Sequence, residues 1–501
     1  MVLFFVLLAA FRLSLTTKGH CFDADERRYI YALWFWKDIL HGQFFNGFSC
    51  LFEVQGRPGF VLISAFPAAL QILLAHLHLI STTSLHFFDL PSVFNVFITL
   101  VNSVVFYGIL KILVQESYLA ATGTVVYSLL VNSNVYIRHL VPYDWSLALF
   151  LIVILLMLKQ VSTSSQRPGI AVLGGALSAL GAMVYPGYYA LVLIVFLFWA
   201  GASRFDLKKM GFYLGGFFGV IASVEILSEV LRKSYLMECL VVSDTVKHGS
   251  FAEGFLYIIR YLKDVEGLIG LVLFSLFLLY VIYFWTKDRG PLRWLVAAAL
   301  LVYASHAILG MIFLKMVFYG RCLHLYFPFL VLAAIRLLSL IPGENYKKAV
   351  AIFLLAASVI SFIPFARAYS QLTYPRDLYF KYLSQIPDNK ILWILSDDIV
   401  NPSAYKDHSA VALNMHSYFD LKESYFNIRP PGNMVLVALG AHPLNFSSYA
   451  FENYGPEERR RLRTRKYQMK IYLDQRAPQN PEKHEVKGDS LSTFLYKVAK
   501  N

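Results

Sequence analysis

Ser92-Val-Phe-Asn-Val-Phe-Ile-Thr-Leu-Val-Asn-Ser-Val-Val-Phe-Tyr-Gly-Ile-Leu-Lys111-Ile-Leu-Val114 runs for 23 residues with a single charge, Lys111, close to its end. About 17–25 mostly apolar residues carry an α-helix through the roughly 30 Å hydrocarbon layer of a bilayer. The segment therefore reads as a membrane span. Similar runs lie on both sides of it, at 1–16, 118–135, 144–160, 169–184, 186–201, 210–231, 267–286, 294–314, 322–341 and 347–366, about eleven spans in all. The apolar run 57–80 is set apart, because Pro58 and Pro67 interrupt it and His76 and His78 lie within it. It is expected to lie along the interface or dip into it rather than cross. A twelfth span is the alternative, and it would place the N-terminus outside.

Composition agrees. Of 501 residues, 57% are hydrophobic and 15% charged, where soluble domains carry about 25% charged. The net charge of +13 does not point to nucleic acid, because the basic residues sit in short clusters between apolar runs. The N-terminal run has no basic stretch ahead of it and no clean small-residue cleavage site, so it reads as a span or signal anchor. No CxxC pair occurs among Cys21, Cys50, Cys239 and Cys322, which argues against structural zinc. Cys21 and Cys50 share one loop, as a disulfide or as two free thiols.

The basic clusters orient the spans. Lys111, Lys159/Arg167, Arg204/Lys208/Lys209, Lys287/Arg289/Arg293 and Lys347/Lys348 are separated by pairs of spans, so all fall on the cytoplasmic side. The opposite side receives 17–91 as one loop, then 136–143, the turn Tyr185-Pro186-Gly187, 232–266, 315–321 and everything after 367. The expected architecture is an α-helical polytopic membrane module, 1–366, followed by a small extracytoplasmic α/β domain, 367–501, with short strands at Ile391–Leu395 and Met434–Leu439. Compact loops point to a bacterial inner membrane. The sequon Asn445-Phe446-Ser447 and the basic run Arg459–Lys466, a solvated helix face or an anionic-ligand surface, fall in the tail. Glu225, inside a span, reads as a polar contact within the bundle.

Directly after the first span comes Phe22-Asp23-Ala24-Asp25-Glu26-Arg27-Arg28-Tyr29. Carboxylates at the membrane surface suit sugar transfer, which requires the acceptor hydroxyl to lose its proton as it attacks; a positioned base contributes about 10²–10⁴-fold. An adjacent carboxylate orients the acceptor or a divalent cation. A plainer reading stands beside this one: Asp23 and Glu26 cap an amphipathic helix that carries Tyr29, Leu33, Trp36 and Leu40 on one face. Both readings leave Asp25 available. Further on, Gln55-Gly56-Arg57-Pro58 puts an arginine at the surface, as a grip on a lipid phosphate or as a snorkelling anchor. Two more clusters, Tyr136-Ile-Arg138-His139-Leu-Val-Pro142-Tyr143-Asp144-Trp145 and Tyr319-Gly320-Arg321-Cys322-Leu323-His324, share that side of the membrane. Convergence on one face is the strongest argument from residues alone for a single site.

In order and spacing these motifs resemble the GT-C superfamily of membrane glycosyltransferases, and within it the protein O-mannosyltransferase and aminoarabinose-transferase branch. The likeness rests on Asp25-Glu26-Arg27-Arg28-Tyr29, on Arg57-Pro58, on Arg138 with Asp144, and on Arg321–Pro328, within residues 1–340. It implies an inverting transferase in which Asp25 is the general base, Glu26 and Asp144 support the site, and Arg57, Arg138 and Arg321, with His139 or His324, hold the carrier phosphate as it leaves. The implied donor is a polyprenyl-phosphate sugar, the acceptor a hydroxyl on a glycan, lipid or protein, and no cofactor is required, though members of the superfamily differ over a divalent cation. Two departures concern the sugar and carrier contacts: Gly59 stands where a second proline is usual, and Tyr185-Pro186-Gly187 lacks a lysine often found there. The rival class is a polytopic transporter or flippase, but neither repeated halves nor broken midplane helices are visible. A scaffold whose carboxylates only cap a helix is separable by Asp25→Asn, which preserves capping and abolishes proton abstraction. A hydrolase ranks last, since GxSxG, HExxH and Walker-type patterns do not occur.

Overall fold

The computed structural model describes residues 1–16, 28–54, 56–80, 89–137, 140–163, 167–247, 256–285, 287–312 and 320–371, and the segments 391–395, 434–438, 482–488 and 491–497. In chain order the helices are α1 (Val2–Thr16), α2 (Ile30–Leu40), α3 (Phe44–Ser49), α4 (Pro58–His76), α5 (Asp89–Leu113), α6 (Ser117–Leu129), α7 (Tyr143–Ser162), α8 (Pro168–Val184) and α9 (Tyr189–Ala202). They continue as α10 (Leu207–Val230), α11 (Tyr235–Lys247), α12 (Leu256–Tyr261), α13 (Gly267–Leu279), α14 (Leu292–Met311), α15 (Gly320–Leu323), α16 (Phe327–Leu340) and α17 (Glu344–Gln371). Six are long and apolar enough to cross a bilayer, within α4, α5, α7, α10, α14 and α17, and shorter apolar helices cover Val2–Thr16, Pro168–Val184, Pro186–Ala202, Gly267–Ile282 and Phe327–Leu340. The chain is an integral membrane protein with a mostly helical fold.

Each apolar run read from the sequence is helical over most of its length, with one shortening. The run 118–135 ends as a helix at Leu129, where Leu130 turns extended and the Asn134 side chain donates back to the Ser128 and Leu130 carbonyls. The prolines of 57–80 do not break the helix. Pro58 occupies its first turn, where no N–H is needed, and Pro67 sits buried in its interior. Length and composition would let α4 cross a bilayer. The cluster around Phe60 takes Phe94 and Ile98 from the start of α5, Trp145 and Leu149 from the start of α7, and Val184 from the end of α8. These partners all belong to one end of the helices, so the first turn of α4 is anchored at that end. The side chains of Leu62, Phe66, Leu70, Leu73 and Leu77 remain exposed on it.

The other end is tied by polar contacts. Arg336 of α16 donates to Asp288 Oδ1 (2.9 Å) and Oδ2 (3.0 Å) and to the Leu113 carbonyl (2.8 Å), while Tyr280 donates to Asp288 Oδ2 (2.9 Å). Lys347 reaches Glu116 at 2.5 Å, and Phe205 packs on Trp294. The connectors carrying Lys111, Arg204, Lys287 and Lys347 thus gather together. Between the ends, α8 and α10 cross with backbones touching: a Cβ on Gly175 would stand 1.9 Å from the Tyr213 carbonyl, and one on Gly216 would stand 2.0 Å from that of Val172. Glycine is required at both positions, as at close helix crossings in membranes generally. Asp206 caps α10 by accepting from Lys208 N (3.0 Å) and Lys209 N (3.3 Å). Glu225 accepts from Ser234 Oγ (2.7 Å) and Leu236 N (2.9 Å), so its carboxylate serves the start of α11.

Past α17, β1 (Ile391–Leu395), β2 (Met434–Ala438), β3 (Glu482–Gly488) and β4 (Leu491–Lys497) form a sheet of order β1-β2-β4-β3. β1 pairs parallel with β2, and the other pairs are antiparallel. Both strands expected from the sequence are present. Cys50 is a free thiol, and Cys21 lies outside the described residues.

Candidate active site

Pro142 precedes α7 and places Asp144 in its first turn, where the exposed N–H groups of a helix favour a carboxylate. Trp145 anchors that turn: its indole donates to Asn95 Oδ1 at 2.7 Å, and its ring packs on Phe94 and Phe60. Asn102 of α5 donates to the Asp144 carbonyl (3.1 Å) and to Oδ1 (3.3 Å). His324, between α15 and α16, brings Nε2 to 3.2 Å from Asp144 Oδ1. Both residues are buried. Among the described residues nothing donates to the second oxygen of Asp144, Oδ2.

The pair has a second tier. His324 Nδ1 meets Asn132 Oδ1, and Asn132 Nδ2 donates to Tyr261 OH at 2.7 Å. Glu266, buried at the start of α13, accepts from Val131 N and Asn132 N at 2.8 Å each. Burial pushes its carboxyl up to about 7, against the pull of those two N–H groups. From α1, buried Arg12 donates to Asn134 Oδ1 (2.9 Å) and the Ser128 carbonyl (3.1 Å), and Asp144 is the carboxylate whose field reaches it.

Aromatic rings join this pair to Arg57. The Arg57 guanidinium lies 4.9 Å over the Tyr185 ring, a cation–π contact. Tyr185 packs edge-on against Tyr143 (4.7 Å) and Tyr188 (4.9 Å). Tyr136 contacts both Tyr143 (5.0 Å) and His324 (5.2 Å). The turn Tyr185-Pro186-Gly187 therefore supplies the wall between Arg57 and the Asp144–His324 pair. Such a wall, with a guanidinium at one side and a carboxylate at the other, suits a polar ligand that bears a phosphate.

Of the residues singled out from the sequence, the structure brings Asp144, His324 and Arg57 into one contiguous cluster. His324 was expected to help hold a phosphate; here its Nδ1 meets Asn132 and its Nε2 meets Asp144. Asp25, Glu26, Arg138 and His139 lie outside the described residues. The backbone of Arg321 belongs to α15, just ahead of His324, and its side chain lies outside the description. Sequence reading missed Arg12, Asn132, Tyr261 and Glu266. A signal existed for Arg12, an arginine inside an apolar run; none existed for Asn132, whose role depends on a contact 192 residues away. Among the described residues no group of three or more His, Cys, Asp or Glu side chains comes together as a metal site.

No protein-family profile and no curated protein matches the sequence. Among solved structures, the chain is similar to ArnT from Cupriavidus metallidurans bound to undecaprenyl phosphate, with a TM-score of 0.51 and 10% identity over 99% of this chain and 98% of that one. The apo form of that protein gives a TM-score of 0.48 at 10% identity, over 99% and 97% of the two chains. The first likeness is one of fold.

Proposed function

We propose that this protein is a membrane glycosyltransferase that takes a sugar from a polyprenyl-phosphate carrier and passes it, with inversion, to an acceptor hydroxyl on a glycan, lipid or protein. The observation that carries the reading is the continuous cluster Arg57–Tyr185–Tyr143–Asp144–His324 at one end of an ArnT-like fold. The ArnT structure of that fold holds undecaprenyl phosphate, and a guanidinium beside an aromatic wall is suited to such a headgroup.

In this reading Asp25 removes the acceptor proton as the hydroxyl oxygen attacks the anomeric carbon. The bond from that carbon to the phosphate oxygen breaks, and its electron pair leaves on the phosphate. Arg57, with Arg138, His139 and Arg321, stabilises the departing phosphate. Asp144, oriented by His324, and Glu26 hold the acceptor side. The gathering of basic connectors at the opposite end supports a cytoplasmic placement of that end and an extracytoplasmic site. The helix α4 then lies in the interface with its exposed leucines in lipid, and residues 367–501 form a small extracytoplasmic α/β domain around the β1–β4 sheet.

The test is a native mass spectrum of the gently purified protein with added undecaprenyl phosphate. Wild type and Asp25→Asn retain the carrier, Arg57→Ala loses it, and Asp25→Asn no longer discharges undecaprenyl-phosphate sugars. Absence of carrier from the wild type in several detergents would overturn the reading in favour of a transporter. Turnover in Asp25→Asn would move the base to Glu26 or Asp144.

A further inference from the structure

We propose that Glu266 is the positioning residue of the Asp144–His324 pair and acts through Asn132. The inference rests on the reading of that pair as part of a transfer site.

Neither Glu266 nor Asn132 touches Asp144. Their effect passes through a short series of contacts. Both oxygens of Glu266 are spent, one on the amide of Val131 and one on that of Asn132. Two neighbouring N–H donors held by one carboxylate fix the turn that leaves α6 in both position and tilt. Tyr261, a short π-helical turn earlier in the same segment, takes the Nδ2 end of the Asn132 side chain at 2.7 Å. Residues 261–266 therefore hold Asn132 by its backbone and by its side chain together. With Nδ2 committed, the Oδ1 end of the amide is the one presented to His324 Nδ1. The ring is then fixed about its long axis, and its far nitrogen meets Asp144 Oδ1.

The local backbone is built for this reach. Gly267, directly after Glu266, has φ +63°, a conformation that costs other residues strain. There the chain turns from the π-helical segment into α13. Leu15 of α1, Val131 and Phe365 of α17 form an apolar cluster against Val265, next to Glu266. A buried carboxylate is expensive when nothing but packing requires it. Two convergent amide donors require it here. An amide in its place would set an NH₂ group against one of the N–H groups and release half of the clamp.

The experiment compares wild type with Glu266→Gln, Asn132→Ala and the double variant. The rate of release of undecaprenyl phosphate from undecaprenyl-phosphate sugars is measured beside undecaprenyl phosphate binding and hydrogen exchange of the Val131 and Asn132 amides. Glu266→Gln is expected to bind the carrier as wild type does, to turn over about a hundredfold more slowly, the scale of a misplaced catalytic group, and to exchange faster at both amides. The double variant is expected to be no slower than Asn132→Ala alone, because the two residues act in series. Multiplied losses, or a carrier affinity that falls with turnover, would overturn the proposal. If Glu266→Gln does not fold, Asn132→Ala carries the same test, since it leaves the clamp and cuts its link to His324. If wild type discharges no sugar lipid, the transferase reading falls, and the clamp is judged on exchange alone. Unchanged protection of Val131 and Asn132 in Glu266→Gln then overturns it.

Discussion

Gly175→Ala is the sharpest test of the packing. The added methyl carbon would stand 1.9 Å from the Tyr213 carbonyl oxygen and 2.8 Å from Phe217 N, both backbone atoms that cannot rotate away. Ordinary contact begins near 3.4 Å, so α8 and α10 must part by roughly 1.5 Å. A gap of about 0.5–1 Å already forfeits a quarter to a half of each dispersion well, and overpacking of this kind costs about 1–3 kcal/mol. The upper end of that range, about 3 kcal/mol, is expected here because backbone meets backbone. Gly215→Ala is the internal control: it lies beside Gly216 on α10, with nothing within 4 Å of the new atom, and should be neutral or gain about 0.5–1 kcal/mol from reduced chain entropy. The assay is equilibrium unfolding in one detergent, followed by tryptophan fluorescence. A single separation relieves both clashes, so Gly175→Ala with Gly216→Ala should lose less than the sum of the two. A Gly175→Ala protein as stable as Gly215→Ala would refute the crossing.

Three further outcomes follow from the ends of the bundle. Arg336→Met leaves the Asp288 carboxylate fully buried without its cation and should cost about 3–5 kcal/mol in unfolding at neutral pH; an unchanged midpoint would show that the pair contributes nothing. Burial pushes the Asp288 carboxyl up, but Arg336, Gly290 N–H and Tyr280 outweigh it and hold it below its ordinary value. Its stabilisation is therefore complete above the unfolded-state value and is lost as pH falls through the lower folded one, so Asp288→Asn should flatten the acid limb of a stability–pH curve. Cys50 is buried, and burial with the nearby Asp38 and Glu53 carboxylates pushes its thiol up to about 12. Maleimide at pH 8 should leave it unmodified in the folded protein and label it in SDS, by peptide mapping; equal rates would contradict its burial.

The helices were legible because lipid selects long apolar runs, a signal that survives without knowledge of any partner. The end of α6 was not, since Asn132 and Asn134 look tolerable in an apolar run until Asn134 is seen bonding back across the turn and Asn132 reaching Tyr261. The two prolines of α4 were read as interruptions, although Pro58 begins the helix and Pro67 continues it. Asp144 and His324 were legible as candidates and as neighbours in topology, but their mutual contact was not. Glu266 gave no local sign at all: its partners are 134 and 135 residues away, and only the folded chain brings them together.

Arg12 sets an order of assembly. Its acceptors, Asn134 and the Ser128 carbonyl, are synthesised more than a hundred residues after it. At about 5–20 residues per second, α1 spends roughly 6–24 s in the membrane before residue 134 exists. Through that interval an arginine at helix depth costs about 2.5–3.5 kcal/mol, which snorkelling to the surface relieves. The helix α1 therefore takes its final place late, when the turn after α6 arrives to receive the guanidinium. Seating of Arg12 within reach of Asp144's charge is thereby coupled to completion of the segment that carries Asn132.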